Sequence, residues 1–178
     1  TNSFITFGMT ETLTHIASRS INLKEDAFSI LPGVNISRDK RGCLNINVSY
    51  LTQELIVTND LVTLESDTSF RLLGRIDNVI NSGGVKLIPE EIEQKISTLI
   101  SAPFFVGSIG DEKLGQKAIL VIEGKKYPTD ILSKIEKQNA VNAYQMPKGV
   151  AFIESFEYTD NGKLKRKATL SKLEVHPY

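Results

Sequence analysis

Short apolar runs separated by turn residues fill the first part of the chain. The runs lie at residues 4–7, 28–31, 44–48, 54–57 and 70–73, with turn residues such as Pro32-Gly33 and Asn59-Asp60 between them. Strands of roughly four to eight residues bounded by such turns are typical of hairpin-connected sheets. The pattern therefore predicts a small antiparallel β unit over residues 28–73, preceded by a β-prone run at residues 4–7.

The pattern changes after Asp77. Residues 79–80 and 85–88 flank the turn Asn81-Ser82-Gly83-Gly84, which predicts a hairpin because glycine tolerates the positive φ that such turns need. Pro89 then begins a predicted helix, whose first turns are acidic, as the helix dipole favours; the acidic residues are Glu90, Glu91 and Glu93. Further strands are predicted at 104–109, 117–122 and 150–153, and further helices at 128–139 and from about Lys165 onward.

These elements predict an α+β fold in two parts. Residues 1–76 form a β subdomain and residues 77–178 form a compact α+β domain, joined at the segment Arg75-Ile76-Asp77. The charged side chains of this segment follow a strand-like run, where a packed strand would carry apolar residues. Polar groups in such a place need a partner or a function, so the segment is predicted to be a hinge that faces a ligand.

Composition narrows the class of protein. The 178 residues are 40% hydrophobic and 24% charged, which is typical of a globular chain. Lys plus Arg and Asp plus Glu both number 21, so the net charge gives no reason to expect a nucleic-acid or anionic-membrane partner. The single Cys43 excludes an internal disulfide framework, and no apolar run approaches the ~20 residues of a membrane span. These features predict a cytoplasmic protein.

Four short motifs occur in order along the chain: Phe7-Gly8-Met9-Thr10-Glu11, Thr58-Asn59-Asp60, Gly74-Arg75-Ile76-Asp77 and Asn161-Gly162-Lys163-Leu164-Lys165-Arg166. Together they resemble the C-terminal part of the adenylate-forming superfamily, which includes acyl-CoA synthetases, luciferases and peptide-synthetase adenylation domains. The resemblance covers nearly the entire chain. It implies that residues 1–76 are the end of a large adenylation domain and that residues 77–178 are the mobile C-terminal domain.

The resemblance also implies an activity. Members of the family use ATP and Mg²⁺ to convert a carboxylic acid to an acyl-adenylate, and then transfer the acyl group to a thiol, usually that of coenzyme A. The sequence segments TNDLV and GRIDNVINSGGVK are most similar to those of o-succinylbenzoate:CoA ligases of menaquinone biosynthesis. The alternatives are a fatty or aryl acid:CoA ligase, an adenylation domain that serves a carrier protein, and a non-enzymatic remnant that binds a nucleotide or a partner.

The first motif is implied to contact ATP. By resemblance, Phe7 flanks the adenine and Gly8 belongs to the same ATP-binding motif. Thr10 is implied to hydrogen-bond the α-phosphate, and Glu11 to help hold Mg²⁺. A carboxylate suits a hard cation, and a hydroxyl donates to phosphate without adding charge. Taken without the other motifs, Thr10-Glu11-Thr12 indicates a turn or a helix cap.

The second and third motifs are implied to hold the ribose. Asp60 matches the acidic residue that accepts hydrogen bonds from both ribose hydroxyls, and Arg75 matches an arginine that also reaches the sugar. A carboxylate accepts two O–H donors at once, so one residue suffices to orient the ring. The more frequent form of the second motif has glycine at the position of Asn59. In isolation, Asp60 would be an ordinary turn residue at the end of a strand.

Asp77 matches the family's hinge, about which the C-terminal domain rotates between adenylate formation and thioester formation. A solvated polar residue between domains suits such a change of backbone conformation. The turn at Gly83-Gly84 resembles the loop that lines the tunnel for the pantetheine arm of coenzyme A, where missing side chains admit a narrow thiol. A plain hairpin turn is the alternative for these two glycines.

Lys163 matches the family's catalytic lysine. The carboxylate that attacks the α-phosphate brings two anions together, and an ammonium group on a flexible stem is suited to bridge their oxygens. The preceding Asn161-Gly162 predicts a tight turn that presents the side chain. The alternative is a solvated basic patch, since other cationic residues lie nearby: Lys165, Arg166, Lys167 and Lys172.

The family's phosphate loop, rich in glycine, serine and threonine, precedes the first motif and is not found in these 178 residues. The sequence is therefore expected to be a fragment of a longer enzyme, which alone does not turn over ATP. Apolar surface that a missing region would cover is expected to favour self-association. The expected small-molecule partners of the parent enzyme are a carboxylic acid and coenzyme A.

Overall fold

An antiparallel sheet of seven strands makes up most of the first part of the structure, a computed structural model that describes residues 2–23, 26–125 and 130–174. Within those residues the strands in chain order are β1 (Phe4–Gly8), β2 (His15–Ser20), β3 (Phe28–Ile30), β4 (Asn35–Arg38), β5 (Cys43–Asn47), β6 (Ile56–Ser66) and β7 (Ser69–Arg75). Their order across the sheet is β1-β2-β3-β7-β6-β5-β4. The predicted antiparallel β unit is confirmed.

Apolar side chains of this sheet form the core of the first part. The rings of Phe28 and Phe70 stack with centroids 5.5 Å apart, and Phe7 packs edge-on against both. Fully burying a large apolar side chain contributes about 1.5–3 kcal/mol, so this cluster is a main source of stability. The buried members of the core are Ile16, Ala17, Phe28, Val34, Leu44, Ile46, Val48, Val62 and Phe70.

Three details of this sheet differ from the sequence predictions. Strands β2 and β4 were not predicted, because their mixed polar sequences lack a clear apolar alternation. Asn59-Asp60 was predicted to be a turn, but both residues lie inside the eleven-residue strand β6. The turn prediction fails because Asp60 pairs across the sheet with Arg75, which gives its polar side chain a partner within the strand.

The second part of the structure combines a five-stranded sheet with three helices. Within the residues described above, its strands are β8 (Ile80–Ser82), β9 (Val85–Leu87), β10 (Phe104–Asp111), β11 (Gly115–Glu123) and β12 (Val150–Ile153), and its helices are α1 (Pro89–Ile96), α2 (Ile131–Lys137) and α3 (Arg166–Glu174). The α+β class is confirmed. Residues 128–129, where the second helix was predicted to begin, lie outside the described residues.

Strand β11 lies at the centre of this second part and is apolar on both faces. Ala118, Leu120 and Ile122 contact the cluster that includes the buried residues of α1 and α2. Ile119 and Val121 point to the opposite face, where a smaller cluster includes Phe105 and residues of α3. Continuous apolar sequence is typical of a strand covered on both sides, as here.

Contacts between Cα atoms divide the chain into two compact units, Thr1–Asp77 and Asn78–Tyr178. The boundary predicted from the sequence lies one residue earlier, between residues 76 and 77. Whether these units correspond to the end of an adenylation domain and a mobile domain stays a prediction. Within the described parts of the chain, the helices are all too short or too polar to cross a lipid bilayer.

Candidate functional site

Asp60, Arg75 and Asp77 meet where β7 ends beside the interior of β6. Asp60 and Arg75 are opposite each other in the strand register, and the Nη1 of Arg75 lies 3.2 Å from the Oδ1 of Asp60. The Nη2 of Arg75 lies 3.2 Å from the Oδ2 of Asp77, in the short 3₁₀ turn that follows β7. Asp60 is largely buried, whereas the other two side chains are half exposed. The guanidinium group therefore joins two carboxylates at the end of β7.

Asn59 connects this cluster to a second arginine. Its side-chain Nδ2 donates to both oxygens of Asp77, at 3.2 and 3.4 Å, and its Oδ1 accepts from the Nη1 of Arg41 at 3.2 Å. Arg41 also donates to the backbone oxygen of Thr58 at 3.0 Å. An amide is suited to this position because it carries a donor and an acceptor on the same group.

The turn between β4 and β5 fixes Arg41. The Oδ1 of Asp39 accepts from the backbone N–H groups of Arg41 and Cys43, and its Oδ2 accepts from the Nε of Arg41 at 2.8 Å. The hydrogen bond from the Cys43 N–H, helped by those from Arg41, lowers the pKa of Asp39 below its ordinary value despite some desolvation. Asp39 therefore stays ionised and holds Arg41 toward β6.

Phe7 and Gly8 close β1 beside β2. The Phe7 ring lies in the core, with centroids 5.8 Å from Phe28 and 5.2 Å from Phe70, and only part of it is exposed. A Cβ at Gly8 would lie 2.6 Å from the backbone oxygen of Thr14 and 2.7 Å from the Cα of His15. The close approach of two backbones therefore requires glycine at this position.

Thr10 and Glu11 are exposed in a short 3₁₀ turn, Thr10–Thr12. The buried hydroxyl of Thr12 fixes this turn by accepting from the N–H of Met9 and by contacting backbone oxygens on either side. Leu13 follows with a left-handed backbone at φ 56°, which is uncommon for a bulky residue. The turn thus presents the Glu11 carboxylate to its surroundings.

Gly83 and Gly84 form the tight turn between β8 and β9. Their φ values are 57° and 82°, in the left-handed region that favours glycine, and the Gly83 N–H donates to the backbone oxygen of Leu114 at 2.9 Å. The geometry of the hairpin explains both glycines. Their implied contact with the pantetheine arm stays a prediction.

Lys163 lies at the end of a tight hairpin in the second unit, and its side chain is exposed. The Lys163 N–H donates to the hydroxyl of Thr159 at 2.9 Å, and the Thr159 N–H donates to the Lys163 backbone oxygen at 2.8 Å. Gly162, at φ 76°, makes the turn, and a bridge between Tyr158 and Leu164 closes its base. The backbone of the lysine is thus held while its side chain stays free to move in solvent.

Arg166, which the alternative of a solvated basic patch included, is paired with two glutamates of α1. Both of its terminal nitrogens contact the carboxylate of Glu93, with Nη2 donating to Oε2 at 2.8 Å, and Nη2 lies 3.7 Å from Glu90. Desolvation disfavours the charged arginine, but the hydrogen bonds and charge of Glu93, with the charge of Glu90, outweigh it and raise the pKa of Arg166. The patch interpretation is wrong for this residue.

Two curated relatives are similar to the chain in sequence. An acyl-CoA synthetase of Alternaria alternata is 29% identical over 130 residues, which are 70% of this chain and 23% of the relative. A 2,3-dihydroxybenzoate-AMP ligase of Bacillus subtilis is 30% identical over 121 residues, which are 62% of this chain and 21% of the relative. No family model matches the chain.

In sequence the chain is similar to acid-activating ligases of the adenylate-forming superfamily, in agreement with the resemblance of its motifs. It spans about a quarter or less of the length of these two relatives. In fold, the chain resembles a solved structure of o-succinylbenzoate coenzyme A synthetase from Bacillus subtilis, in complex with ATP and magnesium ion. The TM-score is 0.81 at 17% identity, over 95% of this chain and 41% of the other. This likeness concerns the fold alone.

The donor set of the described residues is consistent with Mg²⁺ held jointly with a nucleotide. The described residues contain no group of three or more His, Cys, Asp or Glu side chains able to hold a metal by themselves. Mg²⁺ usually binds one or two carboxylates together with substrate phosphates and waters. The exposed carboxylate of Glu11 fits that chemistry.

Sequence reasoning missed the polar residues that support the motifs of the superfamily. Arg41 and Asp39 lie in a turn far from any motif, and nothing in their local sequence indicates a contact with Asn59. Glu93 was interpreted as a helix-dipole residue. A partial signal existed, because Glu90 and Glu93 lie three residues apart and so share one side of α1.

Proposed function

We propose that this chain is part of an ATP-dependent acid:thiol ligase, which forms an acyl-adenylate and then an acyl-CoA thioester. The observation that supports it most is the contact of Arg75 with both Asp60 and Asp77 at the end of β7, which brings two of the motifs together. The two named relatives, an acyl-CoA synthetase and an AMP ligase, support the same reaction class.

Asp60 and Arg75 orient the ribose of ATP in this proposal. Arg75 contacts Asp60 at 3.2 Å and is half exposed, so its guanidinium has room to contact a sugar as well. The carboxylate of Asp60 is suited to accept from two hydroxyls. The exposed part of the Phe7 ring flanks the adenine, and the Thr10 hydroxyl donates to the α-phosphate.

Mg²⁺ neutralises charge on the phosphates when it is bound, and Glu11 would hold it. The hydrogen bonds of the Thr12 hydroxyl fix the backbone of the turn that contains Glu11. The point from which the Glu11 side chain extends is therefore fixed as well. The chain itself contributes one carboxylate ligand in this proposal.

Lys163 neutralises the approach of the carboxylate to the α-phosphate. Two unit charges at ~4 Å in an effective dielectric near 20 repel by about 4 kcal/mol. Relieving most of that repulsion corresponds to roughly a thousandfold in rate. The ammonium is exposed, and the backbone hydrogen bonds of its hairpin hold the start of the side chain.

The thioester step uses a rotation at Asp77 and the turn at Gly83-Gly84. Asp77 is held by side-chain contacts rather than by buried packing, so its backbone is able to change conformation once those contacts break. A Cβ at Gly84 would meet nothing within 4 Å, so open space for a narrow substrate adjoins this turn.

The acid is proposed to be o-succinylbenzoate, which would place the enzyme in menaquinone biosynthesis in the cytoplasm. The similarity of the segments TNDLV and GRIDNVINSGGVK to o-succinylbenzoate:CoA ligases supports this. An aryl acid is the second candidate, because a 2,3-dihydroxybenzoate-AMP ligase is 30% identical over 121 residues.

The test is acid-dependent exchange of pyrophosphate into ATP, measured on the protein expressed from its complete reading frame. We expect exchange with o-succinylbenzoate, a roughly thousandfold loss in Lys163→Ala, and no change in Lys113→Ala, an exposed lysine of the turn between β10 and β11. Thioester formation with free coenzyme A separates a CoA ligase from an adenylation domain that serves a carrier protein. Exchange that is unaffected by Lys163→Ala contradicts the proposal.

A further inference from the structure

The hairpin that carries Lys163 leads directly into α3, and Arg166 is the first residue of that helix. The N–H of Lys165 donates to the backbone oxygen of Glu157 at 2.8 Å, which completes the base of the hairpin. Only two residues separate the lysine from the arginine. A displacement of the start of α3 therefore displaces the hairpin as well.

Arg166 joins the start of α3 to two other elements. Its guanidinium makes a two-point contact with the Glu93 carboxylate of α1, and its Nη1 also donates to the backbone oxygen of Val106 in β10 at 3.2 Å. The Oε1 of Glu93 accepts in addition from the Val106 N–H at 2.7 Å. The guanidinium lies 5.4 Å from the centre of the Phe105 ring. Four contacts thus fix its position.

This ion pair is well shielded from solvent. The side chains of Arg166 and Glu93 are only 19% and 18% exposed. Two-point contacts between arginine and a carboxylate combine strength with a defined geometry. An exposed ion pair with a single contact contributes little to stability. The shielded, two-point contact between Arg166 and Glu93 is therefore more than a solvated surface pair.

The pair extends to the residue that follows the proposed hinge. The Nδ2 of Asn78 donates to the Oε1 of Glu90, and Glu90 is the second glutamate near Arg166. The Oε2 of Glu90 is buried and has no hydrogen-bond partner among residues 2–23, 26–125 and 130–174. Burying such an oxygen costs free energy, so the cluster is not optimised for stability alone.

We propose that Arg166, through its two-point contact with Glu93, is the positioning residue for Lys163. This inference rests on the proposed function, in which Lys163 acts on the acid and the α-phosphate. The donors of Arg166 are directed at Glu93 and Val106, so its role is to fix where the hairpin ends and α3 begins. Misplacing a reactive group by about 1 Å costs on the order of a hundredfold in rate.

The experiment uses the protein expressed from its complete reading frame and compares Arg166→Met with Lys163→Ala. We expect Arg166→Met to lower kcat for acyl-adenylate formation about a hundredfold, with little change in the KM for ATP. Thioester formation from supplied acyl-adenylate should keep its rate, because that step does not use Lys163. Arg166→Lys should recover part of the loss, since lysine keeps the charge but lacks the planar fork.

The double variant Lys163→Ala/Arg166→Met separates positioning from a general effect on the fold. If Arg166 acts through Lys163, the double variant is no slower in adenylate formation than Lys163→Ala alone. Multiplied losses in the double variant overturn the inference. Arg71→Met, which breaks an exposed contact with Glu65, is the control for loss of an arginine–carboxylate pair and should keep full activity.

Two further results complete the test. If Arg166→Met does not fold, Glu93→Gln decides, because it keeps the shape of the side chain and should give the same selective loss of adenylate formation. An unchanged adenylation rate in folded Glu93→Gln or Arg166→Met overturns the inference and leaves the proposed function intact. A Lys163→Ala protein with the wild-type adenylation rate overturns the proposed function itself.

Discussion

The amide of Asn59 donates to both carboxylate oxygens of Asp77, at 3.2 and 3.4 Å, while its own oxygen accepts from Arg41. The family more often has glycine at this position, which offers no side chain for either contact. In this chain the proposed hinge residue is therefore held by Asn59 in addition to Arg75. The strand β6 and the start of the hinge share one polar network.

Asn59→Ala should lower the free energy of unfolding of the first unit by about 1 kcal/mol, because it removes hydrogen bonds to partly exposed charged groups. In an Asp77→Ala background the same substitution should cost less, with a coupling of roughly 0.5 kcal/mol or more between the two sites. Urea unfolding of the wild type, both single variants and the double variant measures this coupling. Strictly additive effects would contradict a direct Asn59–Asp77 contact.

Asp77→Pro should slow thioester formation more than adenylate formation. Proline fixes φ and also restricts the preceding residue, so a rotation of the backbone at this position is blocked. Single-turnover measurements of each half-reaction, on the protein from the complete reading frame, give the two rates. Asp77→Ala is the control, since it removes the contacts with Arg75 and Asn59 but leaves the backbone free. Equal loss of both half-reactions in Asp77→Pro would argue against a hinge.

Regular elements with strong local signals were predictable from sequence. Gly83-Gly84 marks a turn that only residues tolerant of positive φ adopt, and Pro89 marks the first residue of α1. Strand β11 was predicted from its long apolar run. In each case a few neighbouring residues determine the local structure, so no distant contact had to be known.

Elements and contacts that depend on distant partners were not predictable. Strand β2 contains His15 and Arg19, so its hydrophobic pattern does not indicate a strand. It is a strand because it pairs with β1 and β3. The contact between Glu93 and Arg166 joins residues 73 positions apart, and each residue alone is typical of a solvated surface. The candidate site residues were predicted from the order of the four motifs along the chain, because local sequence says nothing about such distant contacts.

Acid should weaken the contribution of Asp39 to stability. The hydrogen bond from Cys43, followed by those from Arg41, puts the folded pKa of Asp39 below its ordinary 3.8. A carboxylate with a depressed folded pKa stabilises the fold fully above its unfolded pKa and loses that contribution as the pH falls through the folded pKa. The stability difference between wild type and Asp39→Asn should be constant from about pH 7 to 5 and shrink below pH 3.8. Urea unfolding at several pH values measures it, and a difference that grows in acid would refute the assignment.

Gly8→Ala should destabilise the first unit by about 2–3 kcal/mol. The added Cβ would lie 2.6 Å from the backbone oxygen of Thr14, and a backbone atom cannot rotate away as a side chain does. Gly110→Ala in β10 is a matched control, because its Cβ would meet nothing within 4 Å. Thermal and urea unfolding of both variants decide the matter. Equal stability of Gly8→Ala and the wild type would show that the two strands separate easily at this point.

Asp60→Asn should weaken the preference for ATP over 2′,3′-dideoxy-ATP, because the carboxylate accepts from the ribose hydroxyls in the proposed function. Hydrogen bonds to a charged group are worth about 1.5–3 kcal/mol, which corresponds to roughly a tenfold to hundredfold loss in ATP affinity. Affinity for the dideoxy nucleotide should change much less.

The control for this experiment is Thr58→Val, which removes the hydroxyl that accepts from the Asp60 N–H at 3.0 Å but keeps the carboxylate. It should lower stability while the preference for ATP persists, since the ligand-facing group is intact. Isothermal titration of both nucleotides into each variant, in the protein from its complete reading frame, gives the ratio. Parallel losses for ATP and dideoxy-ATP in Asp60→Asn would mean that Asp60 supports the sheet through Arg75 rather than the sugar.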